Sequence, residues 1–304
     1  MKAFDAIRPL LPEGLVLADE PMARHTSFKI GGPADVYVMP ENTRQAAKIW
    51  MACKQSGIPI TVLGDGCNIL VSDAGIRGVV LATSRMNTIE VDIPNITAGS
   101  GVKLARLADA AYKAGLSGLE FASGIPGTVG GAVYMNAGAF GHDIQDVCES
   151  VETLQPDGTI MWHTEMAFGY RTSRFQNEHV IITKAIFRLT PGNPNDIRAK
   201  MTDLNSRRRA TQPLDYPSAG SAFKRPSQEG IYAAKLIDEN GLKGFTVGGA
   251  QVSEKHTGFI INKGNATASD VLAVITTVQE KIHKATGIWL EPEIKILAAQ
   301  SAAP

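Results

Sequence analysis

Three short segments carry side chains suited to holding or protonating a substrate. Phe168-Gly-Tyr-Arg-Thr-Ser-Arg174 sets Tyr170 and Arg171 among small residues. A guanidinium there can grip a carboxylate or phosphate through two parallel N–H donors, although a lone Tyr-Arg pair more often packs at a surface. Pro217-Ser-Ala-Gly-Ser-Ala-Phe-Lys224 is a Gly-Ser turn followed by a cation, in which Ser221 reads first as a turn residue. Leu290-Glu-Pro-Glu-Ile-Lys295 spaces Glu291 and Glu293 so that both carboxylates leave one face of a strand, a pattern that an exposed strand shares.

Two glycine-rich segments point to a bound group. Gly64-Asp-Gly-Cys-Asn-Ile-Leu-Val-Ser-Asp73 follows an expected strand, and Gly64 and Gly66 can turn backbone N–H groups toward a phosphate. It is not a dinucleotide fingerprint, because Ile69 stands where the third glycine belongs; taken alone, a tight turn between strands is the simpler reading. The run from Glu120 to Gly141 holds six glycines and almost no charge. It is too apolar for a solvated linker and too rich in glycine for an ordinary core helix. Backbone laid against a large planar ligand with a pyrophosphate tail has this composition, and so does a buried glycine-rich crossover.

Positioning these segments requires several lobes. In residues 1–84 a strand at 36–39 leads, through Asn42 or Thr43 as cap, into a helix to about residue 56 with Ala46, Ile49, Trp50 and Cys53 inward; strands at 60–63, 69–71 and 79–81 continue one sheet. In residues 85–212 the alternation of 89–93 predicts a half-buried strand, 103–114 a helix, and 151–154, 159–162, 180–183 and 185–187 antiparallel strands. A polar helix over about 195–209 ends in Arg207-Arg-Arg209 and marks a boundary before Pro213. Residues 213–297 hold a helix at 231–240, a buried strand at 258–262, a helix at 268–286 and a strand at 290–297, the end of which (294–298) can return to the first lobe. The tail 298–304 is expected to be disordered. The class is α+β.

Composition narrows the function. Thirty Lys+Arg balance thirty Asp+Glu, so nothing in the net charge points to nucleic acid. Among 304 residues, 44% hydrophobic and 20% charged is ordinary for a globular chain, whereas 30 glycines exceed the usual ~7%. Cys53, Cys67 and Cys148 lie far apart, as free thiols do in a reducing compartment. Asp5, Pro9, Pro12 and Glu13 interrupt the start, so no signal peptide is expected, and no run reaches the ~18 apolar residues of a membrane span. His25 and His256 lack ligand spacing, and no metal is expected. The expectation is a cytoplasmic protein without membrane partners.

Taken in order, the blocks at 26–34, 62–70, the run through Gly141, Tyr170-Arg171, 217–224, 256–262 and 290–293 resemble the UDP-N-acetylenolpyruvoylglucosamine reductase (UDP-N-acetylmuramate dehydrogenase) family over residues 20–297. Arg225 and Gln212 replace an Asn and a Lys of the first-described branch, and no Tyr-bearing loop is inserted, so the likeness is to the shorter, type II branch. The resemblance implies two lobes of the vanillyl-alcohol-oxidase (PCMH) type around FAD, NADPH as reductant, and a C-terminal α+β lobe for a UDP-sugar, in a monomer. It implies Arg171, Ser221 and Glu293 as catalytic residues. It places FAD on Gly64, Asp65, Gly66, Cys67, Asn68 and Ile69, on Gly124, Ile125, Pro126 and Gly127, on Gly130, Gly131 and Ala132, and on Asn136, Gly138 and Ala139. Tyr170, Gly220, Lys224, Arg225 and Glu291 are its expected substrate contacts. Another FAD-dependent sugar or lactone oxidase of this fold and a non-enzymatic nucleotide-sugar binding protein are the competing readings.

Overall fold

The computed structural model describes residues 2–298; the expected disordered tail, apart from residue 298, lies outside them. The chain forms two compact units. One comprises the residues up to 18 with 35–65 and 78–208; the other comprises 19–34, 66–77 and the residues from 209 on.

The first unit has two hydrophobic cores. In one, the helix Thr43–Gln55 lays Ala46, Ile49, Trp50 and Cys53 on Val36, Val38, Val79 and Leu81. Asn42 starts that helix, its side-chain oxygen accepting the Gln45 N–H at 3.0 Å. The sheet beneath runs in the order Val16–Pro21, Pro33–Val38, Ile76–Ala82, Ile60–Leu63, the last two parallel. The other core lies between a five-stranded sheet and the helices Leu104–Lys113, Val129–Met135 and Pro194–Thr211. That sheet is antiparallel, in the order Ile160–His163, Cys148–Leu154, Ile181–Arg188, Asn95–Gly99, Ile89–Asp92.

The second unit packs the helices Ala233–Glu239 and Ala268–Thr286 on an antiparallel sheet ordered Ser218–Ser221, Phe259–Asn262, Ala250–Val252, Thr246–Val247. Phe28, Ile30 and Leu70 complete this core. Asp73 caps the long helix by accepting the Ala268 N–H at 2.7 Å and the Ser269 N–H at 3.0 Å. Burial pushes its carboxyl up, but these bonds and the Ser269 hydroxyl outweigh that and hold it below the ordinary carboxylate value.

Several sequence expectations need correction. The strand Ile69–Val71 does not continue the first sheet; it pairs in parallel with Lys295–Leu297. The strand expected at 290–297 shortens to those last three residues, because Pro292 has no N–H for a ladder and joins only an isolated bridge to Phe223. The glycine-rich run contains a helix after all, Val129–Met135. Burial of Val129, Ala132, Val133 and Met135 supplies what its local propensity lacks. The strands expected at 180–183 and 185–187 are one, Ile181–Arg188.

Candidate active site

In the first unit, Gly64 ends the strand Ile60–Leu63. A Cβ on Gly64 would stand 2.5 Å from the Thr128 Oγ1, so only glycine allows this approach. Thr128 precedes the helix Val129–Met135, and the Gly131 N–H in that first turn has no acceptor within the helix. Gly130 donates its N–H to Ser100 O at 2.8 Å and lies so close that a Cβ on it would be 2.9 Å from the Ser100 Cβ. The hydroxyls of Ser100 and Thr128 are buried, 0% and 1% exposed, and neither has a hydrogen-bond partner within the protein. A buried hydroxyl left unpaired costs ~1–3 kcal/mol, so these two suit a ligand rich in acceptors. Neither was named from the sequence. The only signal was small residues flanked by glycine: Gly99-Ser-Gly101 and Gly127-Thr-Val-Gly130.

Other expected cofactor residues of this unit have roles within the fold. Gly124 packs on the helix Pro194–Thr211, where a Cβ would meet the Asn205 Oδ1 at 2.2 Å. Ile125 is packed against the core, and Pro126 leads to Gly127, whose carbonyl accepts the Leu104 N–H at 3.0 Å. The Ala132 methyl is core. Gly138 and Ala139 pair with His142 and Asp143 in a hairpin. Asp65 faces Lys103 at 3.6 Å. Asn136 is 1% exposed; its Nδ2 donates to Asp143 Oδ2 at 3.1 Å and Gly169 O at 3.0 Å, and its Oδ1 accepts the Gln145 N–H at 3.0 Å.

Arg171 lies on a tight turn in this same unit. Gly169 and Thr172 exchange backbone hydrogen bonds of 3.1 and 3.2 Å, leaving Tyr170 and Arg171 at the tip. Arg171 has φ +56°, a position that glycine ordinarily fills in such a turn. Its guanidinium donates to Gly138 O at 2.9 Å and Asn136 O at 3.4 Å, and it stacks 5.1 Å from the centre of the exposed Tyr170 ring. A non-glycine residue held left-handed is strained backbone of the kind found at functional sites.

The second unit brings the remaining residues together. Glu293 donates its N–H to Ala222 O at 2.9 Å, and Lys224 donates its own to Glu291 O at 2.8 Å. The Ser221–Lys224 segment therefore runs beside 291–293. The register slips between Ser218 and Ser221, with Gly220 at φ +79° inside the irregularity. The Lys224 ammonium pairs with the exposed Glu291 carboxylate, and Arg225 stacks 4.3 Å from the Tyr232 ring centre. Half of the first glycine loop belongs here. Asn68 Nδ2 donates to Glu293 O at 3.2 Å, and the Lys295 N–H donates to Asn68 O at 3.0 Å. Gly66 presses on the backbone of His25, and Cys67 and Ile69 are half-buried between these anchors. His256 lies under this edge, edge-to-face with Phe259 at 4.9 Å, and its Nδ1 accepts the Gly258 N–H at 3.2 Å. Burial pushes its pKa below the ordinary histidine value.

Among the described residues no group of His, Cys, Asp and Glu could hold a metal ion, and no helix is long and apolar enough to cross a membrane.

Residues 34–164 match the FAD binding domain model. The fold is shared with 4-ethylphenol oxidase from Gulosibacter chungangensis, at a TM-score of 0.50 and 18% identity over 62% of this chain and 42% of that one. It is an α+β flavin-binding fold of the vanillyl-alcohol-oxidase type with a further C-terminal lobe. Residues 212–297 match the model of the UDP-N-acetylenolpyruvoylglucosamine reductase C-terminal domain. The chain is 49% identical to the UDP-N-acetylenolpyruvoylglucosamine reductase of Caldanaerobacter subterraneus over 96% of its own length and 97% of that relative's. It is 46% identical to the Pediococcus pentosaceus enzyme of the same name, over 97% and 98%. The crystal structure of UDP-N-acetylenolpyruvylglucosamine reductase from Thermus caldophilus superposes with a TM-score of 0.79 at 35% identity, covering 92% of this chain and 97% of that one. The chain belongs to the UDP-N-acetylenolpyruvoylglucosamine reductase family.

Proposed function

We propose that the protein reduces the enolpyruvyl ether of UDP-N-acetylglucosamine enolpyruvate to UDP-N-acetylmuramate, a peptidoglycan precursor, using NADPH and bound FAD. The observation that carries this reading is the likeness, over 96% of the chain, to a relative named for this substrate. A sugar or lactone oxidase of the same fold has no comparable support.

FAD fits the residues present, because Thr128 beside Gly64 and Ser100 beside Gly130 each hold a buried hydroxyl without a protein partner. When bound, it supplies the two-electron chemistry that links NADPH to the enolpyruvyl double bond. Its phosphates would face the Gly131 N–H, while Gly64 and Gly130 bring the Thr128 and Ser100 side chains close to that backbone. Asp65, Gly66, Cys67, Asn68 and Ile69 continue the loop from Gly64, and residues 124–127, Ala132, Asn136, Gly138 and Ala139 shape the rest of its bed.

The protein's own side chains then handle the charge that reduction creates on the substrate. Negative charge develops at the carbon bearing the carboxylate and spreads onto the carboxylate oxygens. Arg171 holds those oxygens, and its pre-formed turn means that little reorganisation accompanies the reaction; donors of this type are worth ~3–4 kcal/mol each. Glu293 would be a second donor to the substrate when protonated. Ser221 gives its hydroxyl proton to the carbon, which works because so basic an acceptor needs only a weak acid. Tyr170, Gly220, Lys224, Arg225 and Glu291 contact the UDP-sugar. In this reading residues 1–84 and 85–212 are the two FAD lobes and 213–297 the substrate lobe. The protein acts as a monomer, and in the cytoplasm, in keeping with three cysteines that form no disulfide.

The test is anaerobic bleaching of the protein's flavin absorbance by NADPH, followed by addition of the enolpyruvyl sugar nucleotide. Ser221→Ala should leave bleaching intact and slow the return of colour at least ~100-fold. Normal turnover by that variant removes Ser221 from the role of proton donor. A purified chain that is colourless and does not take up FAD ends the proposal.

A further inference from the structure

Gln176 is absent from every motif considered above, yet its side chain reaches the turn that presents Arg171. Its Nε2 donates to Arg171 O at 3.0 Å and to Tyr134 O at 3.0 Å, and it contacts Met135 Sδ at 3.6 Å. Tyr134 and Met135 form the last turn of the helix Val129–Met135, and Asn136 caps that helix in the left-handed conformation with φ +44°. Asn136 in turn donates to Gly169 O at 3.0 Å and accepts from the Arg171 guanidinium through its own carbonyl at 3.4 Å. The turn is thus gripped twice: by Asn136 of the helix end at its base, and by Gln176, which ties the strained residue to that helix end through Tyr134 O.

We infer that Gln176 is a positioning residue for the reaction: its amide holds the Arg171 main chain in the left-handed state and thereby aims the guanidinium. This rests on the proposed role of Arg171 as the holder of the substrate carboxylate. The grip acts on the carbonyl of Arg171, which rotates when φ and ψ relax toward the ordinary regions, so loss of the donor frees the movement that would misdirect the side chain. The three partners of Nε2 are all acceptors. A donor group can therefore take the place of Nε2 at these partners, and an acceptor-only group of the same shape opposes them.

The experiment uses the holoenzyme and both half-reactions. Gln176→Glu should slow flavin reoxidation by the enolpyruvyl sugar nucleotide about 10- to 100-fold, as expected when carbonyls lose a shared donor, with NADPH bleaching within about twofold of wild type. Gln176→Lys, which restores donors, should recover reoxidation to within about fivefold. Gln176→Met, neutral and of similar length, repeats the loss without introducing a charge. In an Arg171→Lys background, Gln176→Glu should add less than about threefold, because a residue that acts through Arg171 has little left to misplace. In flavin-free protein, hydrogen exchange at the Thr172 amide should accelerate in Gln176→Glu and not in Gln176→Lys. Full additivity in the double variant, or wild-type reoxidation by both Gln176→Glu and Gln176→Met, overturns the inference. Wild-type reoxidation by Arg171→Lys alone overturns instead the role given to Arg171.

Discussion

The turn that carries Arg171 and the sheet edge that carries Ser221, with Glu293 beside it, present by opposite means the side chains proposed to act. At the edge, the unusual backbone angle falls on Gly220, which adopts φ +79° without steric penalty, and the segment of Glu293 is held by an isolated bridge in which its N–H donates to Ala222 O at 2.9 Å. At the turn, the unusual angle falls on Arg171 itself, and the neighbouring Gln176 side chain bonds its carbonyl. The edge is therefore sensitive to a lost glycine, while the turn is sensitive to lost grips. A long side chain on a left-handed residue also leaves the backbone in a direction that ordinary turns do not offer, which is a reason to accept the strain.

The comparison breaks most sharply at Arg171→Gly. Relief of left-handed strain, ~1–2 kcal/mol, roughly offsets two lost hydrogen bonds of about 0.5–1.5 kcal/mol each, so thermal stability should barely move. Substrate-driven reoxidation of the flavin should nevertheless fall at least ~100-fold, measured by stopped-flow absorbance. A large drop in melting temperature would show that the turn is a folding requirement rather than a device for aiming. Gly220→Ala tests the other side. Nothing lies within 4 Å of the added Cβ, so backbone strain of ~1–2 kcal/mol is the whole effect, and the melting midpoint should fall by about 2–8 °C. An unchanged midpoint would mean that the bulge relaxes freely.

A smaller effect, confined to the edge, is expected with pH. His256 is favoured neutral in the fold, since burial lowers its pKa and its Nδ1 accepts the Gly258 N–H. Its contribution is complete above the unfolded value of about 6.5. As the pH falls through that value the unfolded chain binds the proton first, and stability declines until the folded pKa is reached. Denaturant midpoints at pH 7.5 and 5.5 should therefore diverge in wild type and less so in His256→Asn; equal divergence would assign the effect to other groups. Smallest is a labelling pattern. Burial pushes the Cys53 thiol up to about 11 and Cys148 to about 12, whereas Cys67 is half-exposed in the glycine loop. One thiol should react rapidly in flavin-free protein and slow when FAD is added; three equivalent thiols would contradict the buried packing.

The family was legible from the sequence because the motifs that mark it are local. Tyr170-Arg171, the Gly-Ser turn at 217–224 and Glu291-Pro-Glu293 are runs of a few residues whose order identifies the family. The helices at 43–55 and 268–286 announce themselves through caps and apolar faces. Harder were the features set by partners far along the chain. The pairing of 69–71 with 295–297 joins segments more than 200 residues apart, and no pattern within either names the other. The helix at 129–135 defies its own composition because burial decides it.

By itself, then, the sequence determined the α+β class, the order of the motifs that identify the family and the glycine-rich stretches where the chain packs closely, since each depends on side-chain type and spacing along a short stretch. Only the tertiary structure decided that Ser100 and Thr128 keep hydroxyls without protein partners, that Asn68 braces Glu293, and that Gln176 holds Arg171. Those are matters of which polar atoms remain after long-range packing has paired the rest, and the chain cannot declare that balance until it is folded.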